Sequence, residues 1–595
     1  MKKRVLQIFI NSMIMIAALG GLSFYLYGKG QRILKEERKE AAKELDIISE
    51  DFPKVAFEEV KVTSIDNSSS KYSPEVVYNE TYSQGKTKEM EKKKRKNVYN
   101  FESPLWQWNL YGTNNLSMYL YFKTGENVSI RYTIQVEDEK IPNFTRTLYN
   151  GEKDNVTREH SYQLTGFIPG KKNYIILDMY NPSGKLLNQK IFSINVSGLA
   201  SKAKSKIDVK VGKSEEQISN GLYTIYSDKY IWMYDNSGYL RGEIPLIGTT
   251  SQKMMFYEDN LFYGVSGNQF VLVNKLGQVM DHYSIGKYEQ YVDYLYNGYG
   301  QMWILATKPN KKSKSIKDTV ISLDMDSKQV TELFSMEDLL KKMETKAKKP
   351  KKAKKLDWIT LNAIEQVGSD GILLSSRELS AIIKVEKVNS REPRISYMIG
   401  EEEIWKGTNY KKKLLKKSGQ EEADEEQAAE QASSVLDLGE AEDVFFSHVG
   451  QSYMKYETSG ELSEGQYYLY VWNSNYGEWN TNKKFKWNVF SNIGTEKKDA
   501  EYSYIKKYLI DENANTFNLE EEQEVEYTKK NGSMQYYKEH RIDNYGSRKE
   551  FAEYDSNDRL LRKFSHSVKN VLRVEKQDMK GFWFYLGSQD KRMSE

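Results

Sequence analysis

Leu356 to Gly400 reads LDWITLNAIEQVGSDGILLSSRELSAIIKVEKVNSREPRISYMIG, and its punctuation decides the fold class. Ala363 and Ile364 lead into a turn at Gly368-Ser369-Asp370-Gly371. Ile372–Ser375 and Ala381–Val385 make two apolar strands, and Tyr397, Met398 and Ile399 run up to Gly400 as a further one. Short apolar runs bounded by Gly, Asp and Ser spell a small antiparallel sheet. The unit recurs along the chain. Tyr230–Tyr234 precedes Asp235-Asn236-Ser237-Gly238, Phe270–Val273 precedes Asn274-Lys275-Leu276-Gly277, and Val320–Leu323 precedes Asp324-Met325-Asp326-Ser327. Ile382–Val385 continues it, as does Phe551–Tyr554 before Asp555-Ser556-Asn557-Asp558. Recurrence every ~40–60 residues with hairpin turns is how propeller blades read, with two stacked sandwiches as the rival.

Upstream, Trp106 to Gly198 alternates apolar and polar residues over Leu116–Phe122, Val128–Val136, Tyr162–Leu164, Tyr174–Met179 and Lys190–Val196. Turns are expected at Thr124-Gly125-Glu126, Pro169-Gly170 and Asn181-Pro182-Ser183-Gly184. Such a run of short strands in ~90 residues predicts a small sandwich. Nearer the start, Lys2, Lys3 and Arg4 precede Val5 to Tyr27, a stretch without a charge. That length suits a bilayer crossing of ~20 residues, with the basic flank inside. A cleaved signal peptide is the alternative. Gln31–Ile47 reads as a charged spacer helix. Ser64 to Asn97, ending in Lys92-Lys93-Lys94-Arg95-Lys96, reads as a polar tether. The expected organisation is a transmembrane anchor over 1–28, a juxtamembrane helix and linker over 29–99, a β-sandwich over 100–200, a linker over 201–217 and a propeller over 218–595. Low-complexity insertions near 341–355 and 405–434 read as solvated loops.

Charge is nearly balanced, 88 basic against 84 acidic residues in 595, and the basic runs lack interleaved aromatics. That argues against a nucleic-acid binder. Cysteine is absent, so disulfides and thiolate metal sites are excluded. No nucleophile elbow, Walker loop, HExxH motif or EF-hand loop is present, and neither a cofactor nor a metal is expected.

Asp357-Trp358, Asn362-Ala363 and Ser375-Ser376-Arg377 resemble the central blade of the bacterial aryl-sulfate sulfotransferases, which that family writes D-W-x-H-x-N-A … S-S-R-H. Asn109-Leu110-Tyr111-Gly112-Thr113 with Leu116-Ser117 is similar to its N-P-Y-G-x-x-P-L opening. Glu159-His160-Ser161 through Gly166-Phe167-Ile168-Pro169-Gly170 is similar to its later strand pair. The resemblance implies an all-β chain: an Ig-like sandwich, then a six-bladed propeller. It also implies sulfuryl transfer between phenols through a sulfated histidine. Position by position, however, the histidines are replaced. The family's H-H-D-I falls on Glu289, Gln290, Tyr291 and Val292. Its D-W-x-H histidine is Thr360, and the residue after the arginine is Glu378. Its G-Q-H-S falls on Gly450-Gln451-Ser452-Tyr453, with Ser452 at the histidine.

Arg377 is therefore the expected sulfuryl-binding residue. Gln290, Trp358, Thr360, Asn362 and Ser452 are the expected ligand-binding set, and His448 is a substitute candidate four residues from a lost histidine. His160 is expected as an ordinary surface or turn residue, His282 as a structural residue at a strand end, and His540 and His566 have no partner legible in the sequence. A guanidinium binds a sulfuryl group bidentately without any nucleophile, whereas neutral hydroxyls and amides need an adjacent base to attack. The expectation is a small aromatic or sulfated ligand bound with little or no transfer. The alternative is a non-catalytic surface propeller for a phenolic, sulfated or carbohydrate ligand or a protein partner. Either would face outward from a membrane of Gram-positive type, held by the N-terminal helix.

Overall fold

The structure, a computed structural model, describes residues 61–65, 73–201, 203–309, 314–418 and 447–586. The anchor expected over Val5–Tyr27 and the spacer over Gln31–Ile47 lie outside the described residues. Among the described residues, no helix is long and apolar enough to cross a membrane.

Six four-stranded antiparallel units form the propeller. Blade 2 is Met254–Tyr257, Asn260–Ser266, Gln269–Val273 and Val279–Ser284. Blade 3 is Glu289–Tyr296, Gln301–Thr307, Thr319–Asp324 and Val330–Ser335. Blade 4 is Leu361–Val367, Gly371–Ser376, Ala381–Glu386 and Arg394–Gly400. Blade 5 is Tyr453–Glu457, Gln466–Asn473, Tyr502–Asp511 and Thr516–Glu526, and blade 6 is Gly532–Tyr537, His540–Tyr545, Glu550–Tyr554 and Leu560–Ser565. Strands run outward from the axis in chain order, except in blade 1. There Leu222–Tyr226, Tyr230–Tyr234 and Leu240–Pro245 take their innermost strand, Glu575–Gln577, from the chain's far end. Conversely, Asp208–Val211 adds an outer strand to blade 6. The ring is thus closed twice, once on the inside and once on the outside. Closure leaves few free edges to recruit other chains.

A buried polar cluster marks the inner joint. Lys576 Nζ lies 2.8 Å from Glu553 Oε2 with both side chains fully buried. The Tyr223 hydroxyl donates to the same carboxylate, and His540 Nδ1 lies 2.7 Å from its other oxygen. His540 thus has a carboxylate partner that its sequence neighbours did not suggest.

The sandwich differs from its expected strand list at one informative place. Met118–Gln135 is a single strand, where the sequence suggested two separated by a turn at Thr124-Gly125-Glu126. Its first part pairs with Thr157–Leu164 and its second with Lys172–Tyr180, with the register shifting between Lys123 and Val128. The polar tetrapeptide is a bend by which one strand leaves one sheet and joins the other. Next to that bend His160 is fully buried, stacked on Phe122 at 4.5 Å and within 2.9 Å of the Tyr162 hydroxyl. It is not a surface turn residue. Sandwich and propeller share one core. Arg241 of blade 1, 1 % exposed, pins the joint through Asp235 and the carbonyls of Gly166 and Pro142.

The expected tether also differs. Glu80–Lys96 is an α-helix capped by the Asn79 side chain. Glu80 accepts from the His282 backbone N–H and Ser83 from the Val279 N–H, along the outer strand of blade 2, and Glu80 also accepts from Lys328 in the outer turn of blade 3. Met90 is buried with Tyr111, Tyr119 and Tyr121. Mostly polar anchors leave little apolar periodicity to read in advance.

Candidate functional site

Inner strands begin at one face of the propeller, and there a cavity of about 340 Å³ opens on the axis. Its wall is built from strand starts and turns. Thr360 and Asn362 come from the start of blade 4, Ser452 and Tyr453 from blade 5, Lys530, Asn531 and Ser533 from blade 6, and Leu572 and Arg573 from the lead into blade 1. Arg377 and Glu378 sit in the turn after the second strand of blade 4, and Tyr291 and Val292 lie on the inner strand of blade 3. Arg377, Thr360, Asn362 and Ser452 are thereby brought together.

Two expected ligand residues are placed elsewhere. Gln290 is buried toward blade 2, donating to Ser266 O at 2.5 Å and accepting from Ser251 N. It occupies the space above Gly264, where a Cβ would lie 2.6 Å from its amide nitrogen. Trp358 is fully buried, its Nε1 3.4 Å from Asp318. Neither lines the cavity, because each faces a neighbouring strand rather than the axis. His448 is also outside the lining. It is fully buried near the Tyr508 hydroxyl, and burial followed by the Lys506 charge pushes it down to about 3. None of the chain's five histidines lines the cavity.

Basic side chains dominate the wall: Lys317, Lys355, Arg377, Lys530 and Arg573 against Asp357 and Glu378. Each of these cations has a carboxylate partner, Lys317 in Asp357 and Lys355 in Glu289 at 4.0 Å. Arg377 and Lys530 share Glu478, at 3.4 and 2.8 Å. Arg573 reaches Asp293 at 3.3 Å and the Val292 carbonyl at 2.8 Å. The Nε atoms of Arg377 and Arg573 and the Oδ1 of Asn362 are buried without a hydrogen-bond partner. Buried donors and acceptors of this kind are costly until a partner meets them. Below the floor, burial alone would raise Asp293, but Lys253 and Arg573 hold it below the usual carboxylate range.

Two β-branched residues at this mouth have left-handed backbone. Thr360 has φ 47° and Val292 φ 44°. A left-handed conformation is unfavourable for β-branched residues and tends to be stored at functional sites. At Val292 the cause is a bulge. Blade 3 pairing jumps from Gln290↔Ala306 to Tyr294↔Ile304, so three residues face Leu305. The bulge carries Tyr291 to the cavity wall, where Lys317 stands 4.5 Å from its ring centroid. Lys317 in turn reaches Asp357 at 2.5 Å, and Asp357 accepts from the Thr360 hydroxyl at 2.7 Å. No local motif signals Tyr291, because a bulge is a register event between strands.

The 341–355 insertion is part of this site rather than a solvated excursion. Met343 of its short helix is buried with Leu340 and Trp487, and Pro350, Ala353 and Lys355 rim the cavity. Lys348 N donates to Thr481 O at 2.9 Å. Thr481 in turn donates from N and Oγ1 to Glu378, which Asn480 also meets. The second insertion begins on a fully buried Trp405, and its remainder over 419–446 lies outside the described residues.

Burial pushes Glu378 up to about 7, Asp357 adding to it and the Thr481 and Asn480 hydrogen bonds opposing. A carboxyl raised in the folded state costs stability when ionised, and the cost vanishes once both states are protonated. Glu378→Gln is therefore expected to raise the melting temperature relative to the parent above pH 7 and to lose that advantage below pH 4.5. A thermal melt series across this range checks it, and a uniform shift at all pH values would contradict the assignment.

A family model described as Arylsulfotransferase (ASST) matches residues 208–579, and one described as Arylsulfotransferase Ig-like domain matches 105–196. No curated protein matches the chain. Among solved structures, a protein from Lactobacillus plantarum is 9 % identical with TM-score 0.32, covering 76 % of this chain and 99 % of that one. An auxiliary nutrient binding protein from Bacteroides thetaiotaomicron is 8 % identical with TM-score 0.28, covering 75 % and 81 %. Apo AztD from Citrobacter koseri is 9 % identical with TM-score 0.25, covering 76 % and 98 %. Likenesses at these scores carry no argument about function.

Proposed function

The chain belongs to the arylsulfotransferase family, and from that premise we propose that its axial cavity receives the sulfate monoester of a phenol. The observation that carries this is the cation-rich wall with buried, unpartnered guanidinium Nε atoms at Arg377 and Arg573. A sulfuryl group offers three oxygens carrying one charge, which suits the planar donor fork of a guanidinium over the point charge of an ammonium. Tyr291, Tyr453 and Leu572 supply apolar and aromatic surface for the ring. With no histidine at the wall, the sulfated-histidine route implied by the resemblance has no residue to run through. Family members are typically extracytoplasmic. In this reading the uncharged Val5–Tyr27 segment holds the domains at the outer face of a cell membrane.

Isothermal titration with p-nitrophenyl sulfate, inorganic sulfate and p-nitrophenol tests the reading. The ester is expected to bind more tightly than either fragment, because only it uses both the cations and the aromatic wall. Equal binding of ester and inorganic sulfate would leave an anion site with no aryl specificity. No ester binding at all would sink the proposal.

A further inference from the structure

Two phenols and several aliphatic hydroxyls line the cavity, and their surroundings separate them. The Thr360 hydroxyl is committed to Asp357 and the Ser452 hydroxyl to Gly532 O at 2.6 Å. These two, like the Ser533 hydroxyl, are aliphatic and need a strong base to become nucleophiles. Tyr453 is a phenol, but burial, with Glu365 and further charges, pushes it far above the ordinary range. Tyr291 differs in its placement. It is half-buried on the wall, it is set there by the blade 3 bulge, and the Lys317 ammonium stands 4.5 Å from its ring centroid. Lys317 is itself oriented by Asp357. A bulge that re-aims a side chain beside a cavity is a recurrent device of active sites.

Resting on the aryl-sulfate reading above, the geometry points to Tyr291 as a nucleophile that takes the sulfuryl group from the bound ester. Its Oη bonds to sulfur as the bond from sulfur to the aryl oxygen breaks. The proton lost by Tyr291 balances the one gained by the departing phenol, or remains in solvent where the product stays a phenolate. Nothing is oxidised or reduced. The product, an O-sulfated tyrosine, is itself an aryl sulfate. Transfer is therefore close to balanced for ordinary phenols, downhill for a good leaving group such as p-nitrophenol, and reversible onto a second phenol. Lys317 stands over the attacking ring and Arg377 lies on the same wall, where its guanidinium would meet the sulfuryl oxygens; both are fixed in advance of the reaction. Glu378 lies on the same wall, and burial pushes its carboxyl up to about 7, a range suited to proton exchange. This departs from the expectation of little or no transfer. That expectation rested on the residues aligned with the lost histidines, none of which is Tyr291.

The full chain incubated with p-nitrophenyl sulfate and no acceptor tests the inference. Expected are a stoichiometric burst of p-nitrophenol and an intact-mass gain of one SO3 group. Peptide mapping should place that group on Tyr291, and an added phenol should discharge it. Tyr291→Phe keeps the ring on the wall, so ester binding measured by calorimetry should persist while the burst falls by at least about 100-fold. Lys317→Ala should slow the burst and shift its pH profile, a readout that a merely structural lysine would not move. Ester binding without phenol release or mass gain would overturn the Tyr291 assignment and leave the binding reading intact. An unchanged burst in Tyr291→Phe, or sulfation mapped to another residue, would overturn it as well. Absence of ester binding would instead remove the reading on which it rests.

Discussion

Arg377→Ala is expected to weaken p-nitrophenyl sulfate binding by on the order of 100-fold, since a hydrogen-bonded contact to a charged group is worth about 1.5–3 kcal/mol. Arg377 lies on the cavity wall with its Nε buried and unpartnered, and its Nη2 is only loosely held by Glu478 at 3.4 Å. The guanidinium is thus positioned yet underused, and its removal leaves Glu478 to be balanced by Lys530 alone among its paired cations. Arg377→Lys should recover only part of the loss, because an ammonium restores charge and not the two-pronged geometry. Titration of both variants, with circular dichroism to establish that each is folded, checks the ordering parent, lysine, alanine. Parent-like affinity in Arg377→Ala would place the sulfuryl group elsewhere in the cavity.

Lys576→Met is expected to cost about 3–5 kcal/mol of stability, the penalty for leaving a buried charge without its partner. Lys576 and Glu553 are both fully buried across the joint where Glu575–Gln577 enters blade 1. Burial alone would push Glu553 up. Lys576, with hydrogen bonds from His540 and Tyr223, instead brings it down to about 2. A carboxylate lowered in the folded state stabilises fully above its unfolded value and loses that contribution as pH falls through the folded one. The gap between parent and Lys576→Met should therefore be widest above pH 4.5 and narrow toward pH 2. Adding Glu553→Gln removes the orphaned charge and should recover much of the loss, a coupling that the double-mutant cycle reads directly. Urea unfolding of the four proteins checks this. A pH-independent, additive loss would mean that the pair contributes packing and not charge.

Much of the fold was legible because it is written locally. Apolar runs, acidic and glycine turns and their recurrence at blade spacing are properties of adjacent residues. Blade 4 was readable nearly strand by strand from Leu361 to Gly400. Arg377, Thr360, Asn362 and Ser452 could be singled out because each sits in a short pattern beside a strand end. Gln290 and Trp358 could be singled out by the same patterns, yet they point into neighbouring strands.

By itself the sequence determined an all-β chain, a sandwich preceding a propeller, an arginine at a turn, and the absence of histidine from the positions where the resemblance calls for it. Tertiary structure alone decided which side chains meet at the axis. It closed the ring with Glu575–Gln577, folded the lysine-rich insertion onto the cavity rim and used Glu80–Lys96 as a strut rather than a tether. It also turned Tyr291 toward the cavity. The physical reason is common to these cases. A strand alternates its faces every second residue, so one bulge between Gln290 and Tyr294 reassigns which face meets the axis. Pairing between residues hundreds of positions apart leaves no trace in the neighbours of either.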